Sequence, residues 1–276
     1  MLPVLVEKTM NSLCDSLNTS TSNIESIYLY GSVALNDYIE GSSDIDFLAI
    51  VKETPTESDI KAILAAHEKV EFEIPNTNMM GAYILQDEIG KNPTAIKPLL
   101  TYYNKKLHTN GSGTDINPIT WLILQQHGIK IYGSEQSFSY DIEIDSLIKY
   151  VINNLNSYWV NWIERLEQQL SSDSLSEQDI DMKQMDEAVE WCTLGMLRQL
   201  YTLQEHGITS KTGAGLYGVT QLPEKWYGLI HEAILINQRK PTRYYFSQLE
   251  RLTDLVSLLK FIHEEANRLS NKFSAY

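Results

Sequence analysis

The stretch IYLYGSVALNDYIEGSSDIDFLAIV, residues 27–51, decides how the first half of the chain is read. The segment ESIYLYG at 25–31 is aromatic and β-branched and stops at a glycine, as a strand does. DIDFLAIV at 44–51 reads as a second strand, and VALNDYIEGSS between them as a helical turn followed by a Gly/Ser loop. Side chains alternate along a strand, so Asp44 and Asp46 point to one face while Ile45, Phe47 and Ala49 point into the core. Two carboxylates so placed can share a hard divalent cation such as Mg²⁺, which takes oxygen ligands and keeps several waters. Gly31 lets the backbone approach a ligand closely. Ser32 opens a helical turn whose free N–H groups can donate to phosphate oxygens, and Ser43 can add a hydroxyl contact. Gly-Ser after a strand is a weak signal alone, and so is Asp-x-Asp. Twelve residues apart with a strand on each side, they set a phosphate cradle beside a metal clamp, the equipment of nucleotidyl transfer.

Working outward, MLPVLVEKTMNSLCDSL at the start reads as an amphipathic helix rather than a signal peptide, because Glu7, Lys8 and Asp15 interrupt its apolar residues. Residues 56–68 open with Thr56 and early acids and place Ile60, Ile63 and Leu64 at helical spacing. GAYIL at 81–85 is a third strand, TAIKPLLTYYNKK has weaker strand character, and PITWLILQQHG at 118–128 is a short helix from Pro118 to Gly128. After IKIYGS at 129–134 the texture becomes helical. One long helical pattern covers 145–172, a second helix about 181–205, and two more lie near 223–238 and 242–272. The expected fold class is α+β: a mixed-sheet catalytic domain at 1–135, then an all-α bundle at 136–276 that closes the active-site cleft.

The chain has 276 residues and a formal net charge of -14, which argues against a nucleic-acid partner, since phosphate binding draws on Lys and Arg. The same charge suits a small cationic acceptor. No apolar run is long enough for a bilayer span, so no membrane partner is expected. Cys14 and Cys192 sit in no paired motif, and the reading is a cytoplasmic protein, with a monomer favoured slightly over an oligomer. Six histidines show no ligand spacing.

Residues 27–51 resemble the Gly-Ser…Asp-x-Asp signature of the DNA-polymerase-β-like nucleotidyltransferase superfamily. Within it the chain resembles the aminoglycoside adenylyltransferases that modify streptomycin and spectinomycin. NPITWLILQQHGIKIYGS at 117–134 resembles the end of that group's catalytic domain, and WCTLGMLRQLYTLQEHGITSKTGAG at 191–215 its C-domain motif. The resemblance implies that Gly31 and Ser32 hold ATP phosphates, that the catalytic Asp44 and Asp46 bind Mg²⁺, and that Arg198 and Lys211 reach the triphosphate. It implies transfer of AMP from ATP to an aminoglycoside or aminocyclitol hydroxyl, with pyrophosphate released and antibiotic resistance as the outcome. Lys211 lies in the Gly/Ser/Thr-rich stretch ITSKTGAG, which reads as an exposed turn.

One position departs from the family pattern. Where the family carries a general-base carboxylate, this chain has Met80, which takes no proton. Glu71 and Glu73, or Glu187 and Glu190 on the helix after 181, are the candidate substitutes, and the last two would also suit a cationic sugar. The rival readings are a transferase acting on another small acceptor, a protein-modifying or toxin-type transferase, and an ATP-binding pseudoenzyme.

Overall fold

The computed structural model describes residues 1–91, 96, 100–113, 115–138, 143–172, 176–240 and 243–273, with side chains up to 270. The chain divides into two compact units, Met1–Ile142 and Glu143–Tyr276.

The first unit is built on a six-stranded mixed sheet. Its elements run α1 (Val4–Ser20), β1 (Ile24–Leu29), α2 (Gly31–Ala34), β2 (Ile45–Val51), α3 (Glu57–Glu73) and β3 (Met79–Leu85). They continue through β4 (Leu100–Tyr103), β5 (Lys106–His108), α4 (Pro118–His127) and β6 (Ile129–Gly133). The sheet order is β5-β4-β3-β2-β1-β6. Among the described residues only β2 and β3 pair in parallel, as their connection through helix α3 requires; the other pairings are antiparallel. Helix α3 starts on a reciprocal cap between Thr56 and Asp59. Helix α4 has Pro118 at its first position, and the Asn117 side chain accepts from the N–H groups of Ile119 and Thr120.

The sheet alternates as its sequence demands. Ile45, Phe47, Ala49 and Val51 of β2 join Ile27 and Leu29 of β1 in a buried cluster with Val6, Met10, Leu13 and Leu17 of α1 and Ile63, Ala66 and Val70 of α3. Asp46, Leu48 and Ile50 therefore lie on the opposite face, with Tyr28 and Tyr30 beside them. Within the helical layer's core, His67 is fully buried, its Nε2 lies 2.8 Å from the Tyr83 hydroxyl, and its ring stacks on Tyr102 at 3.7 Å.

The second unit is helical: α5 (Ile144–Asn154), a π-helical turn (Leu155–Trp159), α6 (Val160–Leu170), α7 (Met182–Glu205), α8 (Lys211–Gln221), α9 (Tyr227–Asn237) and α10 (Gln248–Phe273). Helix α7 is its axis, packing against α5, α8, α9 and α10. The long helix expected over 145–172 is thus interrupted. The π turn swings Trp159 inward, where it is 4% exposed, and the side chain fits because Gly195 on α7 has no Cβ; one there would stand 2.6 Å from Trp159 Cζ2. Helix α8 occupies the stretch read as a turn, and α10 begins at Gln248 rather than near 242. In the first unit, IKIYG became the edge strand β6, and the weak strand signal after residue 94 became the β4–β5 hairpin.

An ion network centred on the fully buried Arg251 and Glu232 ties α7, α9 and α10 together. Arg251 reaches Asp186 Oδ1 and Glu232 Oε1, both at 2.8 Å, and Glu232 also accepts the Tyr244 N–H at 3.1 Å. Replacing Arg251 with methionine strands the wholly buried Glu232 carboxylate. The expected loss is about 3–5 kcal/mol in denaturant unfolding, part of it regained by adding Glu232→Gln.

Burial pushes the His67 imidazole down from 6.5 to about 3. The unfolded chain therefore binds a proton that the folded chain refuses, so stability falls as pH drops from about 6.5 toward 3. Urea unfolding across that window should show a pH slope steeper by about 1.4 kcal/mol per pH unit than that of His67→Phe.

Candidate active site

The two halves of the Gly-Ser…Asp-x-Asp signature meet at one end of the sheet. Antiparallel pairing of Leu29 with Phe47 sets the end of β1 beside the start of β2, and the Tyr30 N–H donates to the Asp46 carbonyl at 3.1 Å. Gly31 follows at φ +61°, a left-handed conformation that L side chains rarely adopt. An ideal Cβ on Gly31 would stand 2.7 Å from Asp46 Cγ, so the Asp46 carboxylate occupies the space that any side chain at position 31 would need. Ser32 comes next, and its Oγ is buried without a hydrogen-bond partner among the described residues. Helix α2 is only four residues long, so its backbone amides and the Ser32 hydroxyl, more than any helix dipole, are what the turn offers an anion.

Asp44 is exposed and immediately precedes β2; Asp46, half-buried, is the strand's second residue. Being two residues apart, they share a face, and as hard oxygen donors they are the pair able to hold a divalent cation. Among the described residues no group of three or more His, Cys, Asp or Glu side chains forms a metal cluster. Two carboxylates with phosphate oxygens and waters completing the shell fit Mg²⁺ better than an all-protein cage would. Ser43 does local work: its Oγ accepts from the Ile39 N–H at 3.0 Å and ties the loop before β2.

Met80 lies on β3 as the strand partner of Asp46, on the same sheet face. Glu71 and Glu73 are corrected as substitutes for the missing carboxylate. Glu71 accepts the Tyr102 hydroxyl and Glu73 the Ser12 hydroxyl at 2.8 Å, both in the α1–α3 layer, on the far side of the sheet from Asp46.

The acid that sequence reading missed is Asp115, just ahead of α4. Tyr30, 3% exposed, donates its hydroxyl to Asp115 Oδ1 at 2.6 Å. Burial, chiefly, and then the charge of Asp44 raise the Asp115 carboxyl above its ordinary range, against the opposing Tyr30 hydrogen bond. The Tyr30 phenol is raised too, by burial first and then by the charges of Asp115 and Asp46. The Tyr38 phenol is raised by burial, Glu40 and Asp44. This end of the sheet is therefore rimmed by mutually repelling carboxylates and neutral phenols. No local pattern flagged Asp115, because the link spans 85 residues.

In the helical unit, Arg198 is half-buried on α7. Lys211 is not in an exposed turn. It is the first residue of α8, behind the Ser210 cap, and its Nζ lies 2.7 Å from Glu190 Oε1 and 5.2 Å from the Trp191 ring centre. The two acids spaced i, i+3 thus differ: Glu190 is the partner of Lys211, whereas Glu187 is exposed and meets only Lys183, at 3.9 Å, among the ion pairs of the described residues.

Residues 8–93 match the model of a nucleotidyltransferase domain, and residues 163–260 that of an aminoglycoside adenylyltransferase C-terminal domain. No curated protein matches the sequence significantly. Among solved structures the fold is similar to that of a spectinomycin adenyltransferase, AAD(9), from Enterococcus faecialis, crystallised with ATP and spectinomycin. The TM-score is 0.58 at 15% identity, over 92% of this chain and 98% of that one. With both domains in this order, the chain is an aminoglycoside adenylyltransferase-like protein and, as an enzyme, a nucleotidyltransferase.

Proposed function

We propose that this enzyme transfers AMP from Mg-ATP to a hydroxyl of a small cationic acceptor, an aminoglycoside or aminocyclitol antibiotic, in the cytoplasm, and so confers resistance. The acceptor oxygen attacks the α-phosphorus, the bond to the bridging oxygen breaks, and pyrophosphate leaves with the electron pair. The hydroxyl proton passes to a nearby base or water. The observation that carries this reading is the contact between the Asp46 carboxylate and Gly31, which brings the metal-binding acids against the turn bearing the buried Ser32 hydroxyl.

In this reading Gly31, Ser32 and Ser43 flank the phosphates, Asp44 and Asp46 grip Mg²⁺, and Arg198 and Lys211 supply positive charge to the triphosphate. Mg²⁺ held by Asp44 and Asp46 would supply positive charge against that developing on the phosphate oxygens. Glu187 and Glu190 bind the cationic acceptor, and the acidity of the chain speeds that encounter. Glu190 can do so once Lys211 has moved to a phosphate, because the two now neutralise each other. The relative with spectinomycin bound supports this acceptor class.

The direct test is Mg²⁺-dependent pyrophosphate release from ATP with streptomycin, spectinomycin and a panel of other small hydroxyl compounds. Asp46→Asn should reduce the rate at least about 100-fold, as expected for loss of a group stabilising transition-state charge. An unimpaired Asp46→Asn enzyme would refute the mechanism.

A second reading, nucleotide binding without efficient transfer, is favoured by one observation, the methionine in line with Asp46 on the neighbouring strand. The two are separated by Met80→Glu. If the enzyme turns over without a base, the carboxylate should raise kcat by roughly 10-fold or more, within the range a positioned base supplies. Tight ATP binding with no pyrophosphate from any acceptor, in either protein, would establish the second reading.

A further inference from the structure

We propose that Tyr30 and Asp115 form a positioning pair that sets the turn conformation on which the Asp46 carboxylate rests, and hence the affinity for the metal–nucleotide complex. The inference rests on the function proposed above.

Tyr30 holds three things in place. Its ring is buried on the same sheet face as Asp46. Its N–H donates to the Asp46 carbonyl at 3.1 Å, and the next residue is the left-handed Gly31 against which the Asp46 side chain lies. The phenol is fixed at its far end by the 2.6 Å bond to Asp115 Oδ1. Rotation of the Tyr30 ring would move the backbone of the turn, and with it the space that Asp46 fills.

Asp115 is in turn rigidly mounted. Its main-chain carbonyl accepts from Asn117 Nδ2 at 2.6 Å and from Thr120 Oγ1 at 2.7 Å, which clamps it to the first turn of α4. A chain of contacts therefore runs from the start of α4 through Asp115 and Tyr30 to Gly31 and Asp46.

The test measures Mn²⁺-ATP binding to the full-length protein by electron paramagnetic resonance, alongside thermal unfolding without ligand. Tyr30→Phe and Asp115→Asn should each weaken Mn²⁺-ATP binding about tenfold, the scale of one charge-assisted hydrogen bond, and the double variant little more than either single one. Tyr28→Phe is the control. Tyr28 is equally buried on the same face, and its hydroxyl accepts the Gln136 N–H at 2.6 Å, away from the turn. It should lower the melting temperature without weakening Mn²⁺-ATP binding. If Tyr28→Phe weakens binding as much as Tyr30→Phe does, or if the two pair variants bind normally, the pair has no positioning role. Asp46→Asn separates the two ideas. Normal Mn²⁺-ATP binding by Asp46→Asn sinks the proposed function itself, whereas its loss beside normal binding by the pair variants sinks only this inference.

Discussion

The carboxylate of Asp46 sits where a side chain at position 31 would be, and the catalytic end of the first unit is arranged around that contact. It leaves room only for glycine at 31, and the positive φ there favours glycine independently. The left-handed residue ends β1 and turns the chain so that the Ser32 hydroxyl is buried beside the acids rather than spent on a hydrogen bond within the described residues. The sheet supplies the rest. Antiparallel β1 and β2 bring one strand's end to the other's start, and the crossover through α3 lays β3 parallel to β2, with Met80 level with Asp46. The Gly31-Ser32 turn and the acids at the start of β2 are therefore adjacent because of strand register.

Such a site is electrostatically strained before any ligand arrives. Burial and then the Asp44 charge raise the Asp115 carboxyl, and burial and then the charges of Asp115 and Asp46 raise the Tyr30 phenol. On the proposed function, a divalent cation there would turn mutual repulsion into shared attraction. Arg198 and Lys211, the cations proposed for the triphosphate, belong to the helical unit. There Lys211 is already paired with Glu190 and placed over Trp191, so its positive charge is kept in a defined place rather than free in solvent.

What could be read in the sequence was what is local. Gly31-Ser32 and Asp44-Ile45-Asp46 are short patterns whose meaning follows from strand alternation, and the core positions Ile45, Phe47 and Ala49 follow from the same rule. The capped starts of α3 and α4 were visible for the same reason. Asp115 was not, because its partner Tyr30 lies on a strand far back in the chain and nothing at 115 carries a motif. The face on which Glu71 and Glu73 lie depends on how α3 packs against α1 and Tyr102, a tertiary fact that their spacing could not disclose. Helix α8 was hidden by three glycines in KTGAGLYG, which argue for a turn by propensity. Gly215 and Gly218 instead let the helix pack closely on Ile234 and Leu197. The π turn at Leu155–Trp159 keeps an apolar period close to helical, and only the need to seat Trp159 over Gly195 reveals it.

Met80 bears on how much of the chemistry this surface must perform. A fourth acid level with Asp46 would add repulsion to a face that already carries Asp44, Asp46 and Asp115. The thioether avoids that. What is forgone is a positioned proton acceptor, worth about 10²–10⁴ in rate. What remains is metal and turn chemistry aimed at the phosphate oxygens, usually the larger contribution to such a transfer. On the proposed function, a chain with Asp46 and without a base at position 80 is therefore a slower version of the same catalyst, since the metal-holding acid acts on the phosphate charge and the base only on the acceptor proton.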